Sequence, residues 1–349
     1  MKINTMKKSV TLLLSLFVFA QLLTAQDQHF SQFYSSPLTL NPGFTGVFNG
    51  DIRAYTLYRM QWFTVTTPYK TFTVSLDGPI FKKKMKNQDF FSAGINFSND
   101  NQGTVRMKTN AYNAMFSFTK FIGGRQKHNI TLGYEIGYAT RSATLATLKW
   151  DSQWDGTEYY AGLPSGEPGG GAIGYMDMST GLVWNFNTDH LFRSAMGFSF
   201  QHFTAPNVSL VGGYDKLYPK LGFQWLVNYK LSETSNTTLE PALNVAQQGS
   251  SVLVDAGLSA KFVLSDRSHY TDNAKDKAFH IGIYYRLHDA MFVTFKYDFA
   301  DFTGSLAYDV NISGLTPASH TVGGFELMLA YRGIFFGHKN AKRNSVRFM

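Results

Sequence analysis

Between Met176 and Phe203, large apolar side chains alternate with small or polar ones at every second position. A short polar turn at 187–190 interrupts this pattern, which then restarts on its far side. Strict alternation places successive side chains on opposite faces of a β-strand. One predicted face carries Met176, Met178, Leu182, Trp184, Phe186, Phe192, Met196, Phe198 and Phe200. The other face is small, polar or charged, with Val183 as the exception, so the stretch predicts a hairpin with two different faces.

The same alternation recurs in short segments along residues 51–332, separated by turns rich in Gly, Asn, Ser and Lys. A soluble sandwich also alternates apolar and polar residues. Here, however, the polar face carries unusually small side chains and the apolar face carries unusually many aromatic ones. The chain contains 31 Phe, 19 Tyr and 5 Trp, which suits rings that face lipid and mark its interfaces. We therefore predict an all-β fold, a transmembrane antiparallel β-barrel of about 14 strands.

The charged residues of the predicted strands support a membrane location. A charge against lipid at the bilayer midplane costs about 2–4 kcal/mol. The charged residues of the strands fall on the same alternate positions as the small residues. This shared position predicts that they face the lumen. These predicted lumen-facing residues are Glu135, Arg141, Arg193, Lys296, Asp298, Glu326 and Arg332.

The first 25 residues have the pattern of a secretory signal peptide. Lys2, Lys7 and Lys8 precede the apolar run 10–20, and Leu23-Thr24-Ala25 provides a small-residue cleavage site. Loss of these three lysines lowers the formal net charge from +8 to +5. The chain has no Cys, so an exported form would contain no disulfide. We predict a periplasmic segment at 26–50, the barrel at 51–332 and a basic periplasmic tail at 333–349.

The lengths of the connections predict which end of the barrel faces outward. The long segments 146–175 and 205–219 fall at one end, whereas most short turns fall at the other. Bacterial barrels usually have long extracellular loops and short periplasmic turns. This rule predicts that 146–175 is extracellular and that the basic turn at 81–86 is periplasmic.

Several motifs resemble those of the PorP/SprF family. They are Gln26-Asp27-Gln28-His29-Phe30-Ser31-Gln32-Phe33-Tyr34, the following 36–46, Tyr58-Arg59-Met60-Gln61-Trp62, Pro68-Tyr69-Lys70-Thr71, Tyr308-Asp309-Val310-Asn311 and Phe325-Glu326-Leu327. The resemblance implies an outer-membrane barrel of the type IX secretion system, the export route of certain gliding bacteria. It also implies that the protein helps a secreted cargo with a type B C-terminal domain to reach or stay on the cell surface. Periplasmic secretion and motility components are implied as further partners.

The sequence gives no sign of an active site, cofactor or metal centre. The histidines His128, His190, His202, His269, His280, His288 and His320 lack metal-ligand spacing. His202 lies near Ser199, but their parities differ, which argues against a catalytic pair. Gly169-Gly170-Gly171 lacks the strand-to-helix setting of a phosphate loop. We therefore expect a protein that is not an enzyme and does not bind nucleic acid.

Two groups of residues are candidates for periplasmic contacts. The turn at Asn41 and Pro42 is a partner contact or a segment shaped to enter the barrel mouth. The turn lysines Lys82, Lys83, Lys84 and Lys86 dock an acidic partner or are simply solvated. At the rim, Arg59 and Trp62 form a cation–π or carboxylate-binding spot, or Trp62 belongs to the aromatic girdle.

The longest loop is the candidate for cargo binding. It carries Trp150, Trp154, Tyr159 and Tyr160, residue types that suit anchoring contacts, although they could instead fold into the lumen. The favoured function is a partner and anchor for secreted cargo. The alternatives are a transport barrel for a small or lipid-like solute and a purely structural barrel.

Overall fold

A computed structural model of the protein describes most of the chain after the predicted signal peptide. The described residues are 27–65, 67–80, 89–123, 128–144, 148–160, 162–166, 170–188, 191–265, 276–314 and 316–333. The predicted signal peptide, the lysines of the basic turn and residues 334–349 of the basic tail lie outside these ranges. No helix in the described ranges is long and apolar enough to cross a membrane.

Fourteen antiparallel strands in the described residues form a closed barrel, which confirms the predicted fold. The strands are β1 Ile52–Gln61, β2 Tyr69–Ile80, β3 Phe90–Gln102, β4 Met107–Ile122, β5 His128–Thr144, β6 Gly170–Asn187, β7 Phe192–Gln201, β8 Lys220–Lys230, β9 Thr237–Gln248, β10 Ser251–Ser265, β11 Lys277–Arg286, β12 Ala290–Phe299, β13 Phe302–Asn311 and β14 Val322–Gly333. Each strand pairs with its neighbours in sequence. The barrel closes where β1 pairs with β14, from Ile52 opposite Gly333 to Gln61 opposite Gly324.

Two names describe the ends of the barrel. The terminal end is where β1 begins and β14 ends. The loop end is where the long segments between β5 and β6 and between β7 and β8 connect the strands.

The two faces of the wall differ as the alternation predicts. On β2, Phe72, Val74 and Leu76 are exposed on the outside, whereas Thr73 and Ser75 between them are buried inside. β-branched and aromatic residues suit such a half-buried pleated surface. Val183, the exception in the sequence pattern, is fully buried on the inner face, where it packs in an apolar cluster.

Strand β6 begins earlier than the sequence predicts. It starts at Gly170, so residues 170–175 belong to a strand rather than to the loop 146–175. The extension pairs with the end of β5, where Thr144 lies opposite Gly170. Gly171 fits this place because a Cβ there would lie 2.2 Å from the carbonyl oxygen of Leu210. A glycine-rich sequence indicates a loop, but here the absent side chain permits close backbone approach.

Residues 27–50 lie inside the barrel, and we call this segment the plug. The prediction of a periplasmic segment at 26–50 is therefore wrong for the described residues. The plug runs from the loop end, where the Asp27 amide donates to Gln248, to the terminal end, where the Asp51 amide donates to the Gly333 carbonyl. Its Phe33 and Phe44 pack against inward apolar residues of the wall, including Val183. Burial of this apolar surface stabilises the plug inside the lumen.

Short turns give the plug its shape. The single-turn helix α1, Pro37–Leu40, lies between two 3₁₀ turns at Phe33–Ser35 and Pro42–Phe44. Proline opens both α1 and the second 3₁₀ turn, since its fixed φ suits a helix start and its missing N–H is not needed there. The Asn41 side chain accepts a hydrogen bond of 2.8 Å from the Gly43 amide and caps that turn.

A charge placed on the outer face tests the position of the bilayer. Leu132 is 60% exposed on the outer face, four residues inside β5, whereas Ile122 lies on the same face at the very end of β4. Leu132→Arg is expected to lower the free energy of unfolding by about 2–4 kcal/mol, and Ile122→Arg by at most about 1 kcal/mol. Denaturant unfolding in phospholipid vesicles measures both. Equal losses at the two positions would show that the outer face does not lie in a bilayer as described.

Candidate functional site

A buried cluster of charges lies in the lumen towards the loop end, and we call it the arginine network. It consists of Arg59, Arg286, Asp255, Asp309 and Glu326, and each side chain is at most 2% exposed. Arg286 Nε lies 2.9 Å from Asp255 Oδ1, and its Nη1 lies 3.3 Å from Asp309 Oδ2. Arg59 is 3.3 Å from both Asp309 and Glu326. Removing one member of such a buried pair typically costs about 3–5 kcal/mol, since its partner is left as a buried, uncompensated charge.

The arginine network holds the plug. The two oxygens of Glu326 accept hydrogen bonds from the Ser31 and Gln32 amides at 2.6 and 2.9 Å. Ser31 Oγ donates to Asp309 at 2.6 Å, and Arg286 Nη2 donates to the same hydroxyl at 2.9 Å. Arg59 also donates to the carbonyl of His29. The plug thus supplies some of the hydrogen bonds that these buried polar side chains need.

A second clamp lies nearer the terminal end. Arg53 and Asp77 form a bidentate pair with distances of 2.9 and 2.8 Å. Asp77 accepts from the Gly46 amide at 2.7 Å, and Arg53 donates to the Phe44 carbonyl at 3.2 Å. Bidentate arginine–carboxylate pairs fix geometry as well as charge, so this pair sets where the plug leaves the lumen.

A glycine seat on β5 and β6 receives the middle of the plug. A Cβ at Gly133 would lie 2.3 Å from the backbone of Pro42, and one at Gly181 would lie 1.8 Å from Asn41 Oδ1. Asn41 Nδ2 also donates to Gln224 Oε1 at 3.2 Å. Only glycine allows the two backbones to approach this closely, so these inward glycines are part of the plug-binding surface.

At the loop end, His202 joins the start of the plug to the wall. Its Nε2 lies 2.7 Å from Asp27 Oδ2, and its Nδ1 lies 2.5 Å from Asp177 Oδ2. Lys220 Nζ lies 3.7 Å from the same Asp27 oxygen. Burial alone would lower the pKa of His202, but Asp27 and Asp177 outweigh it and raise that pKa to about 10. The imidazole is therefore charged at neutral pH and bridges two carboxylates.

The structure disperses the predicted lumen residues over three places. Glu326 belongs to the arginine network, and Glu135 is buried on β5. Arg141 lies towards the loop end, with Nη2 3.3 Å from Met107 Sδ. The others line a cavity at the terminal end: Arg193, Lys296, Asp298 and Arg332. None of the residues within the described ranges forms a group of three or more His, Asp or Glu side chains able to hold a metal ion.

Other predicted sites change place in the structure. Arg59 is not a rim residue. It lies on the inward-facing side of β1, and its side chain is 1% exposed in the lumen. Trp62 lies beyond the end of β1 with φ +55° and packs on Tyr69, so it does not meet Arg59 in the predicted spot. Asn41 is fully buried and Pro42 is also buried, so in this arrangement they contact the barrel wall rather than a periplasmic partner.

The aromatic loop, residues 148–166, stands outside the lumen at the loop end. Trp154 and Tyr160 are 54% and 57% exposed. Gln153 stiffens the loop, because it accepts a hydrogen bond from the Tyr159 hydroxyl at 3.2 Å and donates to the Leu163 carbonyl at 3.0 Å. Trp150 is half-buried beside it. In the described part of this loop, Trp154 and Tyr160 are therefore exposed, whereas Trp150 and Tyr159 are half-buried within the loop.

Sequence comparison gives the family. Residues 22–331 match the model of the PorP/SprF type IX secretion system membrane proteins. The chain belongs to the PorP/SprF family. No curated protein sequence matches this chain. Membership of this family and the closed barrel place this PorP/SprF protein in the outer membrane as a component of the type IX secretion system.

Solved structures agree on the barrel. The toluene transporter TbuX of Ralstonia pickettii is 12% identical, with a TM-score of 0.50, and the match covers 86% of this chain and 94% of TbuX. A mutant of the monoaromatic hydrocarbon channel TodX is 9% identical, with a TM-score of 0.52, and the match covers 85% of this chain and 94% of that chain. At such low identity these likenesses show the fold alone.

Sequence reasoning missed most of the clamp residues. Arg286, Asp255, Asp309, Arg53 and Asp77 were not singled out for a role, although all five are buried within the barrel. Only the Arg53–Asp77 pair could have been found from the sequence, because two opposite charges lie directly across from each other in the hairpin of β1 and β2. The contacts of the arginine network join residues 23 to 295 positions apart, so no local pattern shows them.

A methyl group added at Gly133, in the glycine seat, tests how the plug is held. Overpacking costs about 1–3 kcal/mol, so Gly133→Ala is expected to raise the exposure of the plug roughly tenfold. The chain has no native Cys, so a single Ser36→Cys reporter in the buried plug can be labelled with a maleimide. Faster labelling in the Gly133→Ala background is the expected result. Gly304→Ala, where a Cβ meets only Leu329 at 3.6 Å, is the matched control. Identical rates in both variants would contradict the seat.

The His202 bridge predicts a pH dependence. The folded-state pKa of about 10 lies above the ordinary value of 6.5, so the stabilisation is complete below pH 6.5 and is lost as the pH rises towards 10. Asp27 stays ionised throughout, because His202 and Lys220 outweigh burial and hold its pKa well below its usual value. The difference in unfolding free energy between wild type and His202→Gln should therefore shrink between pH 6.5 and 10. A difference that stays constant or grows would exclude a charged bridge.

Proposed function

We propose that this protein is a non-enzymatic partner and anchor for a type IX cargo with a type B C-terminal domain. The loop end faces the cell exterior and binds the cargo, and the terminal end faces the periplasm. The observation that carries this proposal is the exposed, internally hydrogen-bonded aromatic loop on a barrel whose lumen contains its own N-terminal segment.

The aromatic loop has the composition of a protein-binding surface. Interface hot spots are enriched in Trp and Tyr, and an ordered loop loses less conformational entropy on binding. Besides the Gln153 hydrogen bonds, a β-bridge joins Trp154 to Tyr159, and Lys149 Nζ lies 4.9 Å from the Tyr159 ring centroid. These contacts order the backbone that carries the exposed rings of Trp154 and Tyr160.

The second loop, 202–219, extends the same surface. Val208 donates to the Asp215 carbonyl at 2.7 Å, and the Asn207 side chain accepts from the Asp215 amide at 2.9 Å, so the loop is itself ordered. Its Leu210 carbonyl packs on Gly171 at the start of β6, directly after the aromatic loop. Tyr214, which is 76% exposed, is then presented at the same end of the barrel.

The terminal end is proposed to meet the periplasmic machinery. Strand β2 ends there at Ile80, immediately before the basic turn with Lys82, Lys83, Lys84 and Lys86. Four lysines within five residues would favour docking of an acidic partner by charge complementarity. The buried Asn41 and Pro42 are not part of this proposed contact.

Transport of a small or lipid-like solute is the second candidate function. A cavity of about 600 Å³ at the terminal end favours it. Opposing it, the plug is fastened at several heights of the lumen by the arginine network, the glycine seat and the Arg53–Asp77 pair. Passage through the lumen would require these contacts to break, so cargo binding at the loop end remains the better-supported function.

A pull-down from native membranes tests the proposed cargo surface. Trp154→Ala combined with Tyr160→Ala is expected to reduce recovery of the secreted cargo roughly thirtyfold, since a single hot-spot truncation costs about 2 kcal/mol or more. Phe302→Ala removes a ring that is 61% exposed at the opposite end and serves as the control. Full cargo recovery by an intact double variant would exclude the aromatic loop as the cargo surface.

The same pull-down separates the two ends of the barrel. Reversing the charge of the four turn lysines should remove periplasmic components and leave the cargo bound. Loss of the cargo with those components retained would assign the ends the other way round. A lone conducting barrel, with neither partner recovered, would favour the transport function.

A further inference from the structure

The cavity at the terminal end lies between the plug and the wall. Tyr34, Ser35 and Pro37 line it from the plug, and strands β7 to β14 contribute to its opposite side. Its volume of about 600 Å³ falls within the range of about 300–1,000 Å³ that is common for small-molecule sites. This cavity is separate from the arginine network and from the loop-end surface.

A row of basic side chains crosses one wall of the cavity. Lys261, His280 and Lys296 lie on the neighbouring strands β10, β11 and β12, directly opposite one another in register. Like charges that lie close together on a sheet destabilise it, so the two lysines need carboxylates nearby. Glu240 and Asp298 supply these carboxylates, and His280 contacts them at 2.9 and 3.0 Å.

Apart from Arg53, which pairs with Asp77, five lysine and arginine side chains line the cavity against four carboxylates, so one positive charge is left over. The cations are Arg193, Lys261, Lys277, Lys296 and Arg332, and the carboxylates are Glu240, Asp276, Asp298 and Asp301. Lys296 lies 3.9 Å from Glu240, whereas Lys261 and Arg332 each lie 3.8 Å from the one carboxylate of Asp298. Arg193 enters from the β7 side, and no carboxylate in the described part of the chain lies within ion-pair distance of it. Among the described residues, the Arg193 guanidinium therefore has no carboxylate partner that would compete with a bound anion.

The cavity also has an aromatic wall. The ring of Tyr34, on the plug, stacks on Tyr284 of β11 with centroids 5.2 Å apart. Tyr284 stacks in turn on Phe292, also at 5.2 Å. Lys296 Nζ lies 5.8 Å from the centroid of Tyr34, so the cationic and aromatic parts of the cavity are adjacent. A compact molecule here would touch both the plug and the barrel.

We propose that this cavity binds a small organic anion, an aromatic carboxylate in which the ring packs against Tyr34 of the plug. Arg193 and Lys296 receive the carboxylate. Because the plug contributes Tyr34, bound ligand also holds the plug against the wall. This proposal does not depend on cargo binding at the loop end.

Paired probes test the charge requirement. The full-length mature barrel in detergent is titrated with 2-naphthoate and with its neutral isostere 2-naphthamide, and empty micelles correct for partitioning. Saturable binding of naphthoate at least about tenfold tighter than that of naphthamide is expected, as for a charged hydrogen bond. Equal affinities, or no saturable binding, would overturn the proposal without any substitution.

Variants locate the site. Arg193→Gln is expected to weaken naphthoate binding about tenfold and to leave naphthamide unchanged. Lys230→Gln is the control, because Lys230 lies at the same end of the barrel but does not line the cavity. Folding of each variant is checked by the heat-dependent mobility of the barrel on gels. Naphthoate binding that a folded Arg193→Gln protein retains in full would contradict the assignment.

Discussion

The burial of five ionisable side chains in the arginine network is the constraint on which the rest of the structure depends. Arg59, Arg286, Asp255, Asp309 and Glu326 lie away from water, where an unpaired charge costs several kcal/mol. The ion pairs among them do not use all of their hydrogen-bonding capacity. Ser31 and Gln32 of the plug supply the further hydrogen bonds. The barrel wall and the plug therefore complete one another, and neither is satisfied alone in this arrangement.

The sequence predicts the wall well and its contents poorly, for one physical reason. Alternation reports which side of a strand a residue faces, because lipid on one side excludes charge. It does not report what lies on the other side. Inward glycines such as Gly133 and Gly181 indicate only a small-residue face until the plug is seen against them. Likewise, the sequence alone suggests that Arg59 is a rim residue beside Trp62. In the structure Arg59 faces inward and contacts buried carboxylates.

The two ends of the barrel differ in a way that suits separate roles. The loop end presents ordered loops with exposed aromatic rings such as Trp154 and Tyr214, the chemistry of protein recognition. The terminal end contains a charged cavity bounded partly by Tyr34 of the plug. Because one continuous plug spans the distance between them, a molecule bound at the terminal end contacts the same segment that the arginine network holds near the loop end.

Hydrogen exchange at the Ser31 and Gln32 amides tests the central claim most directly. Both amides donate to the buried carboxylate of Glu326, at 2.6 and 2.9 Å. The account predicts that they exchange as slowly as amides in the barrel strands, because exposing them requires the buried charge network to open. Exchange at the rate of an unprotected amide, with the strands still protected, would contradict it and would show that the plug is not held by the network.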